Sequence, residues 1–424
     1  TEEVVQTLGR MKKMTAIDPK LQPTLERMVS LAINYLDGRM VENWKLDSIH
    51  KVKSSTIDPD EIKYLYARSF WLKEYSLQPY MAKVYKSLLN KLQMGVLKAD
   101  PAVQATAAVV FSRAGDQITA HRVVKSLKSK ALSDKDGFIF WRKTPGYHWY
   151  EDPLRTQVLA LEAIIEVEAD MGISEKIRSW LLAQRQTQSW ESRSSNADIA
   201  YAFILNGSSI IDLGNTAEIT LEGKKLESMV PSMAGSGWFK AQLHPTSMDQ
   251  LKRWRLEIRG KGTGMGWASL WIKYKGQQSH AVSSESGVKI ERAIFLMKGN
   301  SSTATAQLTK GTPLKQGDRL RIQLTITTDR DMDFVALTDQ RASGLEPGSR
   351  SGFLWKGGRG YYQEVKDNAT QFFFDRLDKG TRTIEYEVIV AHAGTFSDGP
   401  AEIQSLYAPA FSGRSEGNSI KVKN

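Results

Sequence analysis

The apolar residues of this chain change their spacing once, near Asn206-Gly207, and that single change orders the whole architecture. Before it, Leu25, Met28, Val29, Ala32, Ile33 and Leu36 recur at the 3.6-residue period of a helix, predicted to stop at Asp37-Gly38. Asp58-Pro59-Asp60-Glu61 has the grammar of a helix start: a capping carboxylate, a proline in the first turn and acids facing the positive end of the dipole. Further helices are expected over 80–97, 100–114, 116–129, 153–169, 174–185 and 196–205. After the change, side chains alternate: 217–221, 254–259, 267–274, 319–327, 334–339, 369–377 and 381–391 read as strands. Trp254–Arg259 and Trp267–Tyr274 flank a glycine-rich turn and predict a hairpin.

The helices differ in how much of their circumference is apolar. Residues 102–114 are small and apolar on nearly every face, as are 153–167, so both are expected inside. Residues 120–127 and 177–182 interleave charges and are expected outside. Inner and outer helices alternating about every 40 residues predict an α/α toroid, incomplete at this length. Strands following one another with no helix between them predict antiparallel β-sandwiches. The fold class is therefore multidomain, α then β. The expected domains are 1–206, 207–285 and 286–424, the second boundary falling in the polar stretch 278–287.

Composition narrows the chemistry. The 424 residues contain no cysteine, which excludes disulfides, thiolate metal sites and cysteine nucleophiles within the chain. The net charge of +11 is spread along the sequence without blocks and without a nucleic-acid-binding signature, so no nucleic-acid partner is expected. No apolar run approaches the roughly 20 residues of a membrane span. Thr1 to Leu8 reads as helix and not as a signal peptide, so either a mature chain or a segment of a longer one is expected.

The motif candidates reduce to structure. Gly260 to Gly266 lacks the phosphate-loop lysine and following helix and reads as a turn. Asp134 to Gly137 lacks the later acidic ligands of a calcium loop. No metal site and no cofactor are expected. Tyr147, His148, Trp149 and Glu151 form one dense cluster at a toroid end, where a Tyr/His pair could abstract a proton from a sugar acid, or aromatics could simply plug the end.

Five stretches carry a family resemblance. Lys315-Gln-Gly-Asp318 opens an alternating strand, Asp329-Arg-Asp-Met-Asp-Phe334 turns it, and Leu406-Tyr-Ala-Pro409 closes the region. Earlier, Trp180-Leu-Leu-Ala-Gln-Arg185 precedes Trp190 and Ser195-Asn-Ala-Asp-Ile-Ala-Tyr-Ala-Phe203, and residues 147–166 carry Trp149, Asp152, Arg155-Thr156 and Leu161-Glu-Ala163. In this order they resemble the C-terminal part of bacterial α2-macroglobulins: a thioester-type helical toroid, a CUB-like segment and the last macroglobulin-like domain.

The resemblance implies a broad-spectrum, bait-and-trap endopeptidase inhibitor and not an enzyme. Its partners would be attacking proteases met by the full-length protein, and its location the periplasm or the bacterial cell surface. The family's Cys-x-x-Gln thioester is absent from this chain, so trapping through it alone would be non-covalent. Leu406-Tyr407 matches a Met-Tyr pair that shields the thioester in that family; with Phe411 it is expected either to form an interdomain lid or to belong to a last core strand of the sandwich. Two other readings are a toroid-plus-sandwich polysaccharide lyase using Tyr147, His148 and Glu151, and a non-catalytic envelope adhesion or scaffold module. The polar tail 413–424 is expected to be loosely attached.

Overall fold

The computed structural model describes residues 1–14, 18–49, 57–134, 136–142, 153–187, 193–205, 216–229, 239–261, 268–273, 275–297, 304–309, 312–348, 350–356 and 359–423. They form two compact units, one of residues 1–182 with 190–267 and one of 183–189 with 268–424.

The first unit is helical: α1 (Glu2–Met14), α2 (Gln22–Ile49), α3 (Pro59–Ser69), α4 (Pro79–Gly95), α5 (Pro101–Arg113), α6 (Gln117–Ser129), α7 (Pro153–Glu168), α8 (Met171–Thr187) and α9 (Arg193–Ile204). The odd-numbered helices pack on one another in sequence, and α9 returns to α1, so the inner layer closes into a ring. The reason is compositional. Helices α5 and α7 bury seven or more successive residues each, which only an inner position allows, whereas α6 buries one stripe, Thr119, Ala120, Val123, Val124 and Leu127. Short as it is, the toroid closes.

Local signals fix the starts. Asp58 accepts from the amide of Asp60 at 2.9 Å and Glu61 returns a bond to the Asp58 amide at 2.8 Å, a complete capping box ahead of Pro59. Buried Arg178 donates to the carbonyls of Ala202 (3.1 Å) and Leu205 (2.7 Å), placing a cation at the negative end of α9.

The expected stop at Asp37-Gly38 does not occur; α2 runs through it. The buried stripe continues from Val29, Ile33 and Leu36 to Met40, and Asp37 serves α3 instead, accepting from Tyr64 Oη (2.7 Å) and Arg68 Nε (3.1 Å). A second difference concerns the hairpin. Strand Leu256–Lys261 pairs with Thr216–Leu221, and the described residues 268–273 carry no strand.

The second unit is a β-sandwich with a shared apolar core. One sheet has the order Leu345–Pro347, Gly380–Val390, Arg319–Thr328, Val288–Met297, Ala304–Gln307. The other runs Gly352–Lys356, Arg359–Val365, Ala369–Leu377, Met332–Gln340, Ala401–Ser405, Ser412–Arg414, Ser284–Ser286. Alternation does the sorting: Leu320, Ile322, Leu324 and Ile326 point inward, while Val335, Leu337, Phe372 and Phe374 meet them from the facing sheet.

The tail is part of this unit, contrary to expectation. Ser412–Arg414 pairs with Ala401–Ser405, and Asn418–Lys423 pairs with Gly394–Asp398, burying Ile420 and Val422. A Cβ on Gly413 would lie 2.4 Å from the carbonyl oxygen of Val288, so glycine is what lets the tail lie this close.

Candidate functional site

Two features carry functional side-chain chemistry, one in each unit. In the sandwich it is the turn that joins the strands ending at Ser405 and beginning at Ser412. The Ser405 amide bonds the Phe411 carbonyl at 3.0 Å, and the Phe411 amide bonds that of Ala408 at 2.9 Å, so the turn is closed on itself. Its tip faces outward: Leu406 is 55% and Tyr407 82% exposed. Tyr407 is therefore not a residue of the sandwich core.

Beneath the tip sits Phe334, the end of the Asp329–Phe334 motif. Its backbone takes φ 53°, a left-handed conformation that bulky side chains rarely adopt. Its carbonyl accepts from the Leu406 amide at 2.9 Å, and its ring meets that of Tyr407 edge-on at 5.3 Å. Phe411 points the other way. The Arg330 guanidinium lies 4.6 Å over its ring, and Gly287, at φ 73°, leaves the space that ring fills. Two separate stretches of the sequence thus converge on one exposed aromatic pair over a strained backbone.

In the helical unit the chemistry is buried at the ring's centre, and all five inner helices contribute. Glu162 of α7 is fully buried. It accepts from Arg113 of α5 (Nη2, 2.6 Å), from Tyr201 of α9 (2.9 Å) and from Tyr66 of α3, with Arg10 of α1 at 3.7 Å. Arg10 pairs with Asp198 of α9 and donates to Tyr66 at 3.0 Å, its guanidinium 4.6 Å over the Tyr201 ring. Glu166, one turn beyond Glu162, bridges Arg113 (2.6 Å) and Lys13. Arg113 also lies 3.7 Å over the Phe70 ring. Helix α1 comes close because Gly9 faces Phe70, where a Cβ would stand 2.6 Å from the ring. A cavity of about 330 Å³ opens at this edge, lined by Lys13, Met14, Glu166, Ile204 and Leu205.

Four cations thus meet three carboxylates, Arg155 reaching Asp198 at 3.9 Å. Burial pushes the Glu162 carboxyl up, but the guanidinium groups of Arg113 and Arg10 and the Tyr66 hydroxyl outweigh it and hold the group well below the usual carboxylate range. Burial and the nearby carboxylates push the Tyr66 and Tyr201 phenols far up, so both stay neutral donors. Burial, then Arg113, pulls the Lys13 ammonium down against the pull of Glu166. Such a set holds helices in one register.

Of the residues singled out in the sequence, Leu406, Tyr407 and Phe411 fall on the described turn, whereas Tyr147, His148, Trp149 and Glu151 lie outside the described residues. The ring-centre cluster went unread. Its only sequence signal is a pair of acids at i, i+4, Glu162 and Glu166, inside an otherwise apolar helix.

Comparison with known proteins agrees with the resemblance. Residues 287–410 match the family model described as the bacterial alpha-2-macroglobulin MG10 domain. An "Alpha-2-macroglobulin homolog" of Nostoc sp. is 25% identical over 291 residues, which is 64% of this chain and 15% of that protein. The "Circularly permutated Ras protein 2" of Dictyostelium discoideum is 22% identical over 177 residues, or 42% of this chain and 4% of that one. Among solved structures, trypsin-activated alpha-2-macroglobulin from Escherichia coli aligns with all of this chain and 27% of its own, at 14% identity and a TM-score of 0.39. The chain spans about 15% of the length of its Nostoc relative. The likeness to bacterial α2-macroglobulins is thereby borne out, most directly over the sandwich.

Proposed function

From this likeness we propose that the chain is the toroid and C-terminal β portion of a bacterial bait-and-trap endopeptidase inhibitor. A protease would cut elsewhere in the full-length protein, and these units would move to cage it. The observation that carries the reading is the MG10 match, together with an exposed Tyr407–Phe334 pair at the Leu406-Tyr407 stretch that resembles the family's lid. On the same reading the chain divides into a toroid (1–206), a CUB-like segment (207–285) and the last macroglobulin-like domain (286–424). It acts as an inhibitor, not an enzyme, in the periplasm or at the cell surface. Since the chain holds no cysteine, it contributes caging and no acyl bond of its own.

Leu406 and Tyr407 would form the interdomain lid, with Phe411 anchoring it to the sandwich from below, and Leu406 standing where the family has methionine; the two are close in volume. Tyr407 offers a ring for packing and a hydroxyl for bonding, which suits it to a contact that must open and close. The decisive experiment exposes the full-length protein to several endoproteases. Compaction on cleavage, with captured protease still active on small substrates and blocked on large ones, is the expected result. Cleavage with neither effect overturns the reading.

A further inference from the structure

The sequence spreads its basic residues evenly, but the fold gathers some of them. Helix α4, the short 3-10 turn Val96–Lys98 that continues it, and helix α6 contain no Asp or Glu. They are neighbours in the outer layer of the toroid. Gln93 Nε2 donates to Thr119 Oγ1 at 3.2 Å, and Lys130 Nζ donates to the Ala99 carbonyl at 2.9 Å. Lys83 and Lys86 lie along the exposed face of α4, Arg122 and Lys125 along that of α6, and all four are exposed.

Two other lysines of these helices are committed elsewhere: Lys91 to Glu61 at 2.7 Å, Lys128 to Glu168 at 2.9 Å and Asp170 at 3.1 Å. Lys83, Lys86, Lys98 and Lys125 form no ion pair among the described residues. Besides Glu61, Glu168 and Asp170, the acids at the margin are Asp100 and Asp116, each at the start of a helix. Asp116 accepts from the Thr119 amide at 3.0 Å and lies near Arg122. Solvated helix faces ordinarily mix both signs, since like charges at short range repel. An acid-free double stripe complements an anionic surface.

Apolar side chains stand among these charges. Ile118 is 85% and Met94 74% exposed, and Leu97 42%. A polyanion strand is held by cations and stacking aromatics and gains little from exposed aliphatics. A bilayer interface uses both: aliphatics enter at the headgroup boundary while lysine stems snorkel to the phosphates. We propose that the α4–α6 face of the toroid docks on an anionic phospholipid bilayer. This stands whether or not the chain is part of a protease trap.

The test is co-sedimentation of the whole chain with vesicles of phosphatidylglycerol and phosphatidylcholine in equal parts, against phosphatidylcholine alone, at about 0.1 M salt. Binding to the anionic vesicles only is expected. Each surface cation contributes about fivefold, so Lys83→Gln, Lys86→Gln, Arg122→Gln and Lys125→Gln together should weaken binding at least about a hundredfold. A control with the same loss of net charge elsewhere, Lys224→Gln, Lys225→Gln, Lys421→Gln and Lys423→Gln, should stay within about fivefold. Ile118→Ser with Met94→Ser should weaken binding about tenfold without changing its salt dependence. All these positions are exposed, and an unchanged melting curve checks folding. If the first variant misfolds, the aliphatic pair and the salt series still decide. No binding by the unaltered chain, equal loss in both quadruple variants, or retention on heparin without vesicle binding would each overturn the proposal.

Discussion

Glu162 at the centre of the helical ring and Asp339 inside the sandwich are both fully buried carboxylates, and they titrate in opposite directions. Two guanidinium groups act on each; the difference lies in how directly they are engaged. Glu162 is served by Arg113 and Arg10 together, plus two phenols, and its charge is held. Asp339 is bonded by one guanidinium, Arg292 at 3.0 Å, which also pairs with Asp398; Arg341 favours its charge only through space, being bonded to the Asp367 carbonyl and Thr370. Burial then wins, and Asp339 is pushed up despite Arg292 and the 2.7 Å bond from Tyr386. The lesson concerns architecture. Five helix faces converging on an axis need specific cross-links to fix which helix sits beside which. Two facing sheets already have their register from strand pairing, so their ion cluster can be left less closely cross-linked.

The comparison is most strongly tested by removing a cation from each side. Arg113→Ala strands Glu162 and Glu166 in the ring centre and should cost the helical unit about 3–5 kcal/mol, read as a fall in the urea midpoint at the helical dichroism band. Arg292→Met should cost less, about 1–3 kcal/mol, because Asp339 is already disposed to take a proton. Equal losses would mean that the two clusters are energetically alike and that the architectural distinction fails.

Acid should separate the units without any substitution. Glu162 has a depressed folded value, so its contribution is present above its ordinary 4.5 and is lost as pH falls toward about 2. That displacement is worth on the order of 3 kcal/mol. Asp339 has a raised folded value, so its contribution is present below its ordinary 3.8 and is lost as pH rises through the raised value. Lowering the pH through this range should therefore erode the helical transition while this group firms the sheet transition. Parallel loss in both bands would contradict the assignment of Asp339, and a helical band unmoved by acid would contradict that of Glu162.

Within the ring, Gly9→Ala tests how closely α1 is seated. A methyl 2.6 Å from the Phe70 ring forces a shift, with an expected cost of about 1–3 kcal/mol. Loss of the Arg10 cross-links should follow, visible as faster amide exchange in α1 and α9 before any other helix. A neutral result would show that the seam gives way freely and that the cross-links, not the packing, hold the ring.

Much of the frame was legible in the sequence because it rests on short-range rules. The Asp58–Glu61 cap, the mainly apolar α5 and α7, and the alternation of residues 319–327 each need only a few neighbours to interpret. The ring centre was not legible, because Arg10, Arg113, Glu162 and Asp198 are brought together across up to 188 positions and none announces its partner. The tail was misread for a related reason. Gly413 to Val422 looks polar, yet it pairs through backbone groups, which composition does not display. The turn at Leu406-Tyr407 was found only because its motif resembles a family; nothing in its hydropathy says that the tyrosine faces solvent.

Asp37-Gly38 gives the smallest and most local test. Read alone, an acid followed by glycine ends a helix, since glycine enters the left-handed cap conformation without strain. Here Asp37 turns to Tyr64 and Arg68, so glycine is left in the interior of α2 with nothing within 4 Å of where a Cβ would stand. Such a glycine only adds freedom to the unfolded chain, and Gly38→Ala should stabilise the helical unit by about 0.5–1 kcal/mol. The gain depends on Asp37 staying with α3. In an Asp37→Asn background the Arg68 pairing weakens, and the same alanine should help less if the helix then frays at this point. A loss of stability from Gly38→Ala in the unaltered chain would mean that the helix does break there. The contrast with Gly9 would then collapse, since both glycines would be doing the same work of letting the backbone turn or approach.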